Sequence, residues 1–239
     1  MNILAINGSP RGKKGMTWWV LERFIQGMNE AGAEVDTIQL AGKNIKHCTG
    51  ELACWFKTPG RCIHDDDMEL ILAAMNNAEA LVLATPVYVD GMTGLLKNCI
   101  DRMVPLADPH FETREGHMRH PTAGPAPKKI ALVSTCGFGE LDNFDPLIGH
   151  IKAICKNFNA TFAGSILRPA APVIPFATIR HPFKMRSITK AIRAGGMEFV
   201  QKGRISEETQ EKAAAEIVSK ETYLKQANRY FEKMIDKKK

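Results

Sequence analysis

Long apolar runs are missing from this 239-residue chain: no stretch of about 18 or more consecutive hydrophobic residues occurs, which argues against a membrane-spanning helix. The amino terminus also lacks the charged, then apolar, then small-residue pattern of a secretory leader, so a cytoplasmic protein without a membrane partner is expected. Cysteine is sparse. Its six copies, Cys48, Cys54, Cys62, Cys99, Cys136 and Cys155, are too few and too scattered to staple a small secreted domain, and reduced thiols fit better. The basic residues show no repeating aromatic interleaving, so no nucleic-acid partner is expected. The formal net charge of +6 still favours anions such as phosphates, although part of it sits in a solvated tail at Lys237, Lys238 and Lys239.

Hydrophobic residues make up 44% of the chain, enough for one substantial core or a medium domain with an appendage. Asn2 to Ile6 reads as a buried strand that runs into the turn Asn7-Gly8-Ser9-Pro10. Val20, Leu21, Phe24, Ile25 and Met28 then recur at helical spacing, with Gly32 as a stop. Further strands are expected at Glu34 to Leu40, Ala80 to Ala84, Lys129 to Ser134 and Thr161 to Leu167, and further helices from Asp66 or Asp67, over Gly94 to Met103 and over Pro146 to Phe158. This alternation implies a flavodoxin-like α/β fold: a five-stranded parallel sheet of order 2-1-3-4-5 with helices on both faces.

Residues 1–168 would form that domain, and 169–239 a helical C-terminal extension for packing or oligomerisation. Two helices are expected in the extension, Met185 to Gln201 and Ser206 to Ile235, the second carrying Ile217, Leu224, Phe231, Met234 and Ile235 on one face. Val104 to Pro127 reads as a long loop, a lid or an interface arm.

The chemistry concentrates in Gly8-Ser9-Pro10-Arg11-Gly12-Lys13-Lys14-Gly15-Met16-Thr17, between the first strand and the first helix. Unpaired N–H groups at a helix start, glycines that let the chain wrap a ligand, the hydroxyls of Ser9 and Thr17 and the charge of Arg11 together make an anion site. A Walker loop is excluded, because only three residues separate Gly8 from Gly12 and Lys13 is followed by Lys14. The G-x-G-x-x-G dinucleotide pattern is absent too.

Together, Asn7-Gly8-Ser9-Pro10-Arg11, Gly15 and Thr17, Cys48-Thr49-Gly50, Asp66-Asp67-Met68, Pro86-Val87-Tyr88, Leu96-Lys97 and Asp101-Arg102 resemble the NADPH-dependent FMN reductase and iron–sulfur flavoprotein superfamily. The resemblance implies FMN as cofactor and NADPH or NADH as co-substrate. It assigns the ribityl phosphate to Ser9, Arg11, Gly15, Met16 and Thr17; the Asn common before the Thr is Met16 here, which keeps a backbone donor. It places Pro86, Val87, Tyr88, Val89, Asp90, Gly91 and Met92 against the isoalloxazine ring, and Ser134, Thr135, Cys136, Gly137 and Phe138 beside the ring's other edge. Both segments follow strand C-termini, where open α/β sheets collect ligands. No catalytic side chain beyond the flavin is expected.

Iron–sulfur flavoproteins carry a compact four-cysteine motif for a [4Fe–4S] cluster, and Cys48, Cys54 and Cys62 match three of its places. Glu51 occupies the other. A carboxylate in place of a thiolate argues against a cluster. His47 or His64 could complete a zinc site, but the spacing lacks a close cysteine pair, and no metal is the expectation. His110, His117 and His120 read as part of a solvated or interface loop, and Asp65 to Asp67 as helix capping. The resulting expectation is an FMN-dependent oxidoreductase that takes hydride from NAD(P)H and passes electrons to a small molecule or a redox protein, working as a homodimer or homotetramer. The alternatives are an electron carrier without NAD(P)H turnover and a non-catalytic interaction or regulatory module.

Overall fold

The computed structural model describes residues 1–236, so the expected solvated tail at Lys237, Lys238 and Lys239 lies outside the described residues. The first strand, β1 (Asn2–Asn7), is buried from Ile3 to Asn7, as an unbroken apolar run demands when both faces of a sheet are covered. It leads to α1 (Met16–Glu30) and β2 (Glu34–Gln39). A short α2 (Ala53–Phe56) precedes α3 (Met68–Asn77), β3 (Ala80–Pro86) and α4 (Gly94–Asp101). An antiparallel hairpin follows, β4 (Glu112–Arg114) with β5 (His117–Arg119), then β6 (Lys129–Thr135), α5 (Asp145–Asn157) and β7 (Thr161–Arg168). The described chain ends in α6 (Ile174–Arg180), α7 (Pro182–Lys202), α8 (Glu207–Ala214) and α9 (Lys220–Asp236).

The main sheet has the order β2-β1-β3-β6-β7, with every neighbouring pair parallel. That is the expected flavodoxin-like order once the hairpin strands are set aside. Alternate residues of β1 serve opposite cores: Ile3 and Ala5 join Phe24 of α1 with Ile192 and Phe199 of α7, whereas Leu4 and Ile6 join Leu72, Leu96 and Ile151 of α3, α4 and α5. The extension is thus part of the same hydrophobic interior. Its α7 crosses α1 at backbone contact: a Cβ on Gly196 would lie 2.2 Å from the Phe24 carbonyl oxygen, and one on Gly27 would lie 1.9 Å from that of Arg193.

Two expectations need correction. The terminal helix is not continuous from Ser206 to Ile235; it stops after Ala214 and restarts at Lys220. Arg168, at the end of β7, reaches across and donates from its two terminal nitrogens to the carbonyls of Ala213 (2.6 Å) and Ala215 (2.8 Å), and Ser219 then caps α9 by accepting from the Thr222 N–H. Ile217 is buried in this corner, while Leu224, Phe231, Met234 and Ile235 are exposed on α9. The second correction is at Val104 to Pro127, which contains the β4–β5 hairpin. Arg114 ties the hairpin to the C-terminal end of α5 by donating to the Lys156 carbonyl (2.9 Å), and His120 stacks between Trp55 and Phe111.

Candidate functional site

The loop after β1 is built around a buried polar start. Asn7 is fully buried; its carboxamide oxygen accepts from the Ser9 N–H (3.1 Å) and its nitrogen donates to Gln39 (2.7 Å). The loop then folds back tightly, with the Gly12 N–H on the Ser9 carbonyl and the Gly15 N–H on the Gly12 carbonyl. A Cβ on Gly15 would meet the Ser9 hydroxyl at 2.7 Å, so only glycine lets the head of α1 approach that oxygen without displacing it. Ser9 and Thr17 are buried, at 3% and 2% exposure, whereas Arg11 is exposed. Met16 and Thr17 open α1, and N–H groups in a first helical turn have no intrahelical partner. Two buried hydroxyls, the first N–H groups of α1 and the exposed Arg11 thus lie together at the head of the helix, the kind of donor set that takes an oxyanion.

Two further loops are locked to the first. The Gly8 N–H donates to the Ala84 carbonyl (2.7 Å) at the end of β3, and the Thr93 hydroxyl donates to the Gly8 carbonyl (2.7 Å). The Thr17 and Thr135 hydroxyls share a hydrogen bond of 2.8 Å, which joins the first loop to the end of β6. The Val87 N–H donates to the Thr135 carbonyl (2.8 Å), and the Ser134 hydroxyl donates to that of Thr85 (2.7 Å). The structure thus brings Ser9, Gly15, Met16, Thr17, Pro86, Val87, Ser134 and Thr135 to one end of the sheet, at the C-termini of β1, β3 and β6.

The tip of the second loop stands out toward solvent. Tyr88 and Gly91 pair back to back, and both intervening residues adopt positive φ, 46° at Val89 and 62° at Asp90. For a β-branched valine that conformation is strained, and such strain gathers at ligand clamps. Val89 is 99% exposed and Tyr88 half so, while Met92 is buried beneath them. In the third loop Gly137 and Phe138 are exposed and Cys136 is buried. Burial pushes the Cys136 thiol up, against the pull of the Phe138 and Gly137 N–H groups. Sequence reasoning missed Thr93, and it read Asn7 as part of the turn and the motif but not as the buried side chain that anchors the loop. Thr93 could have been found as the side-chain cap of α4, where it accepts from the Leu96 N–H.

The cysteine segment packs along α4. Protein contacts close it: Asn98 donates to the Ile45 carbonyl (2.8 Å), Trp55 to that of Ala107 (2.8 Å), and Arg102 to that of Lys46 (2.6 Å). Arg102 also holds Asp66 in a fully buried two-point pair, at 2.7 and 3.2 Å. Cys48 is exposed, Cys54 buried and Cys62 half-buried. Burial pushes the Cys54 thiol up, with Cys62 and Glu51 adding to the effect. The Thr49 hydroxyl occupies the Glu51 carboxylate and holds it below the usual range. Cys54 lies within electrostatic reach of Cys62, Glu51 and Cys48, and three thiols with a carboxylate in the remaining place do not fit a [4Fe–4S] cluster, which thiolates ordinarily hold.

A doubly covered parallel sheet with an oxyanion cradle after β1 and two further loops beside it defines a flavodoxin-like α/β protein of the ligand-at-strand-ends kind. Residues 1–138, more than half of the 239, match the NADPH-dependent FMN reductase family, and the chain belongs to that family. It is similar to an iron–sulfur flavoprotein of Archaeoglobus fulgidus, 40% identical over 102 residues that cover 43% of this chain and 48% of the relative. An iron–sulfur flavoprotein of Methanocaldococcus jannaschii is 36% identical over 106 residues, 44% of this chain and 53% of the relative. The similarity thus spans about half the length of these relatives. Among solved structures, the FMN-dependent NADH-azoreductase of Bacillus anthracis in complex with FMN shares the fold with a TM-score of 0.61 at 14% identity, over 84% of this chain and 99% of that one. The NAD(P)H:quinone oxidoreductase of Methanothermobacter marburgensis does so with 0.58 at 15% identity, over 83% and 96%.

Proposed function

We propose that this chain binds FMN non-covalently in the cleft between the three loops and acts as an oxidoreductase that takes hydride from NADPH or NADH. The observation that carries this reading is the convergence of the buried Ser9 and Thr17 hydroxyls with the open head of α1, locked by Thr17–Thr135 to the third loop. Ser9, Thr17 and the N–H groups of Met16 and Thr17 would hold the phosphate, with Arg11 and Gly15 at its rim. Pro86 to Met92 and Ser134 to Phe138 would flank the ring. FMN, when bound, supplies the hydride chemistry; the protein fixes its phosphate, leaves a ring face open and surrounds the ring with backbone donors. Family membership supports the same reading, as does the fold shared with an FMN-dependent NADH-azoreductase and an NAD(P)H:quinone oxidoreductase.

On this reading electrons leave to a small-molecule or redox-protein acceptor without passing through a cluster, the ground being Glu51 in place of a fourth cysteine beside Cys48, Cys54 and Cys62. Residues 1–168 would carry the site, and the 169–239 extension, whose α7 and Ile217 join the interior, would support a homodimer or homotetramer. The exposed apolar stripe of α9, with Leu224, Phe231 and Ile235, favours such assembly. The test is anaerobic: FMN-loaded protein is mixed with NADPH and, separately, NADH, and the visible flavin band is followed. Bleaching by either supports the reductase. Retention of the band with both, while dithionite bleaches it, overturns pyridine-nucleotide turnover and leaves the electron-carrier reading.

A further inference from the structure

The third loop is held from behind by residues distant in sequence. The Ala171 N–H donates to the Cys136 carbonyl (2.9 Å) and the Ala170 N–H to the Phe138 carbonyl (2.7 Å). Between them, the Tyr223 hydroxyl donates to the Gly137 carbonyl. One residue beyond Gly139, Glu140 pairs with Lys220 at 2.5 Å. Three successive carbonyls, 136 to 138, are therefore all drawn toward the C-terminal extension. In a trans peptide the C=O and the following N–H point in opposite directions, so the N–H groups of Gly137, Phe138 and Gly139 are turned away from the extension. The Phe138 N–H donates to the Cys136 sulfur (3.3 Å), which fixes the sense of this side and leaves the Gly137 and Gly139 N–H groups as the donors a ligand can take. Successive N–H groups on one side of a loop make a concave donor surface suited to an anionic or carbonyl edge.

Tyr223 is not free to swing. Its ring packs against the core shared by α1 and α7, and burial pushes its phenol up, so the hydroxyl stays a donor at neutral pH. The backbone beneath it is set by the α8–α9 corner. There Arg168, buried and pushed down to about 10 by that burial, donates to the Ala213 and Ala215 carbonyls, while its own carbonyl accepts from the Cys136 N–H (3.1 Å). One end of β7 thus anchors both the third loop and the corner that leads into the helix carrying Tyr223.

We infer that Tyr223 is a positioning residue for flavin binding: its hydroxyl and the Cys136 sulfur hold the 137–138 peptide from its two sides, and this sets the loop so that the flanking Gly137 and Gly139 N–H groups meet the polar edge of the isoalloxazine ring. This rests on the FMN reading above. Lys220 reinforces it through Glu140, at an exposed site where such a pair contributes little by itself.

The experiment compares wild type with Tyr223→Phe, which keeps the ring and deletes the donor. Three measurements are made: FMN affinity by fluorescence quenching, the midpoint potential of the bound flavin, and hydrogen exchange of residues 136–140 in flavin-free protein. A lost hydrogen bond predicts FMN binding weakened by about three- to tenfold. The potential should move to more negative values, because donors at that edge favour the electron-rich reduced ring. Exchange should quicken within 136–140 and nowhere else. Wild-type affinity and potential in Tyr223→Phe would overturn the inference. Failure of the wild-type protein to take FMN would instead overturn the flavin reading, and unaltered exchange at 136–140 would then remove the loop-setting role as well.

Discussion

At the scale of single residues, the Asp66–Arg102 pair decides whether the segment after β2 keeps its shape. Both side chains are fully buried, and burial alone would raise the Asp66 carboxyl. The hydrogen bonds from Arg102 and from the Lys46 and Met68 N–H groups outweigh it and hold the carboxyl below its usual range. A carboxyl lowered in the folded state contributes stability that is complete above the ordinary value, about 4, and is lost as pH falls through the lowered one. Asp66→Asn should therefore cost about 3 kcal/mol or more near neutral pH, by leaving a buried guanidinium without its counter-charge. Urea midpoints of wild type and variant should converge below about pH 4. Equal midpoints at neutral pH would contradict the role given to the pair. The residues of the first loop were legible in the sequence because Ser9, Gly15 and Thr17 stand at fixed spacing between a strand and a helix. Tyr223 was not, because it meets Gly137 across 86 residues of chain and nothing local marks it.

At the scale of elements, the central strands were legible because both faces of the sheet are covered there, which forces continuous apolar runs such as Leu81 to Ala84. The break between α8 and α9 was not. Its cause is a buried arginine from β7 that takes up the Ala213 and Ala215 carbonyls, while the helical spacing of apolar residues continues through the corner. Helix packing yields a prediction of opposite signs for one chemical change. Gly196→Ala sets a methyl against the backbone of α1 and should cost about 2 kcal/mol or more. Gly149→Ala, in α5 with open space around it, should gain about 0.5–1 kcal/mol from helix propensity alone. Thermal or urea denaturation of the two variants checks both; a tolerated Gly196→Ala would mean that α1 and α7 can separate without loss.

At the scale of the whole molecule, strand order places the loops after β1, β3 and β6 side by side, and the extension closes the third from behind. That division of labour explains what the sequence disclosed. The site's front is written in consecutive residues; its support is assembled from 168, 170, 171, 220 and 223. No described helix is long and apolar enough to cross a membrane. The Val104 to Pro127 arm, read as a loop, carries a hairpin because Arg114 and His120 find partners on α5 and Trp55, contacts that no local pattern announces.

The central claim is that the cradle formed by Ser9, Thr17 and the head of α1 binds the phosphate of FMN. Titration of flavin-free protein with FMN and with riboflavin, which lacks that phosphate, addresses it without reference to turnover. Hydrogen bonds to a charged group contribute about 1.5–3 kcal/mol each, so FMN should quench at micromolar concentrations or below and bind at least about tenfold more tightly than riboflavin. Equal affinity for the two, or no quenching by FMN, would contradict the account.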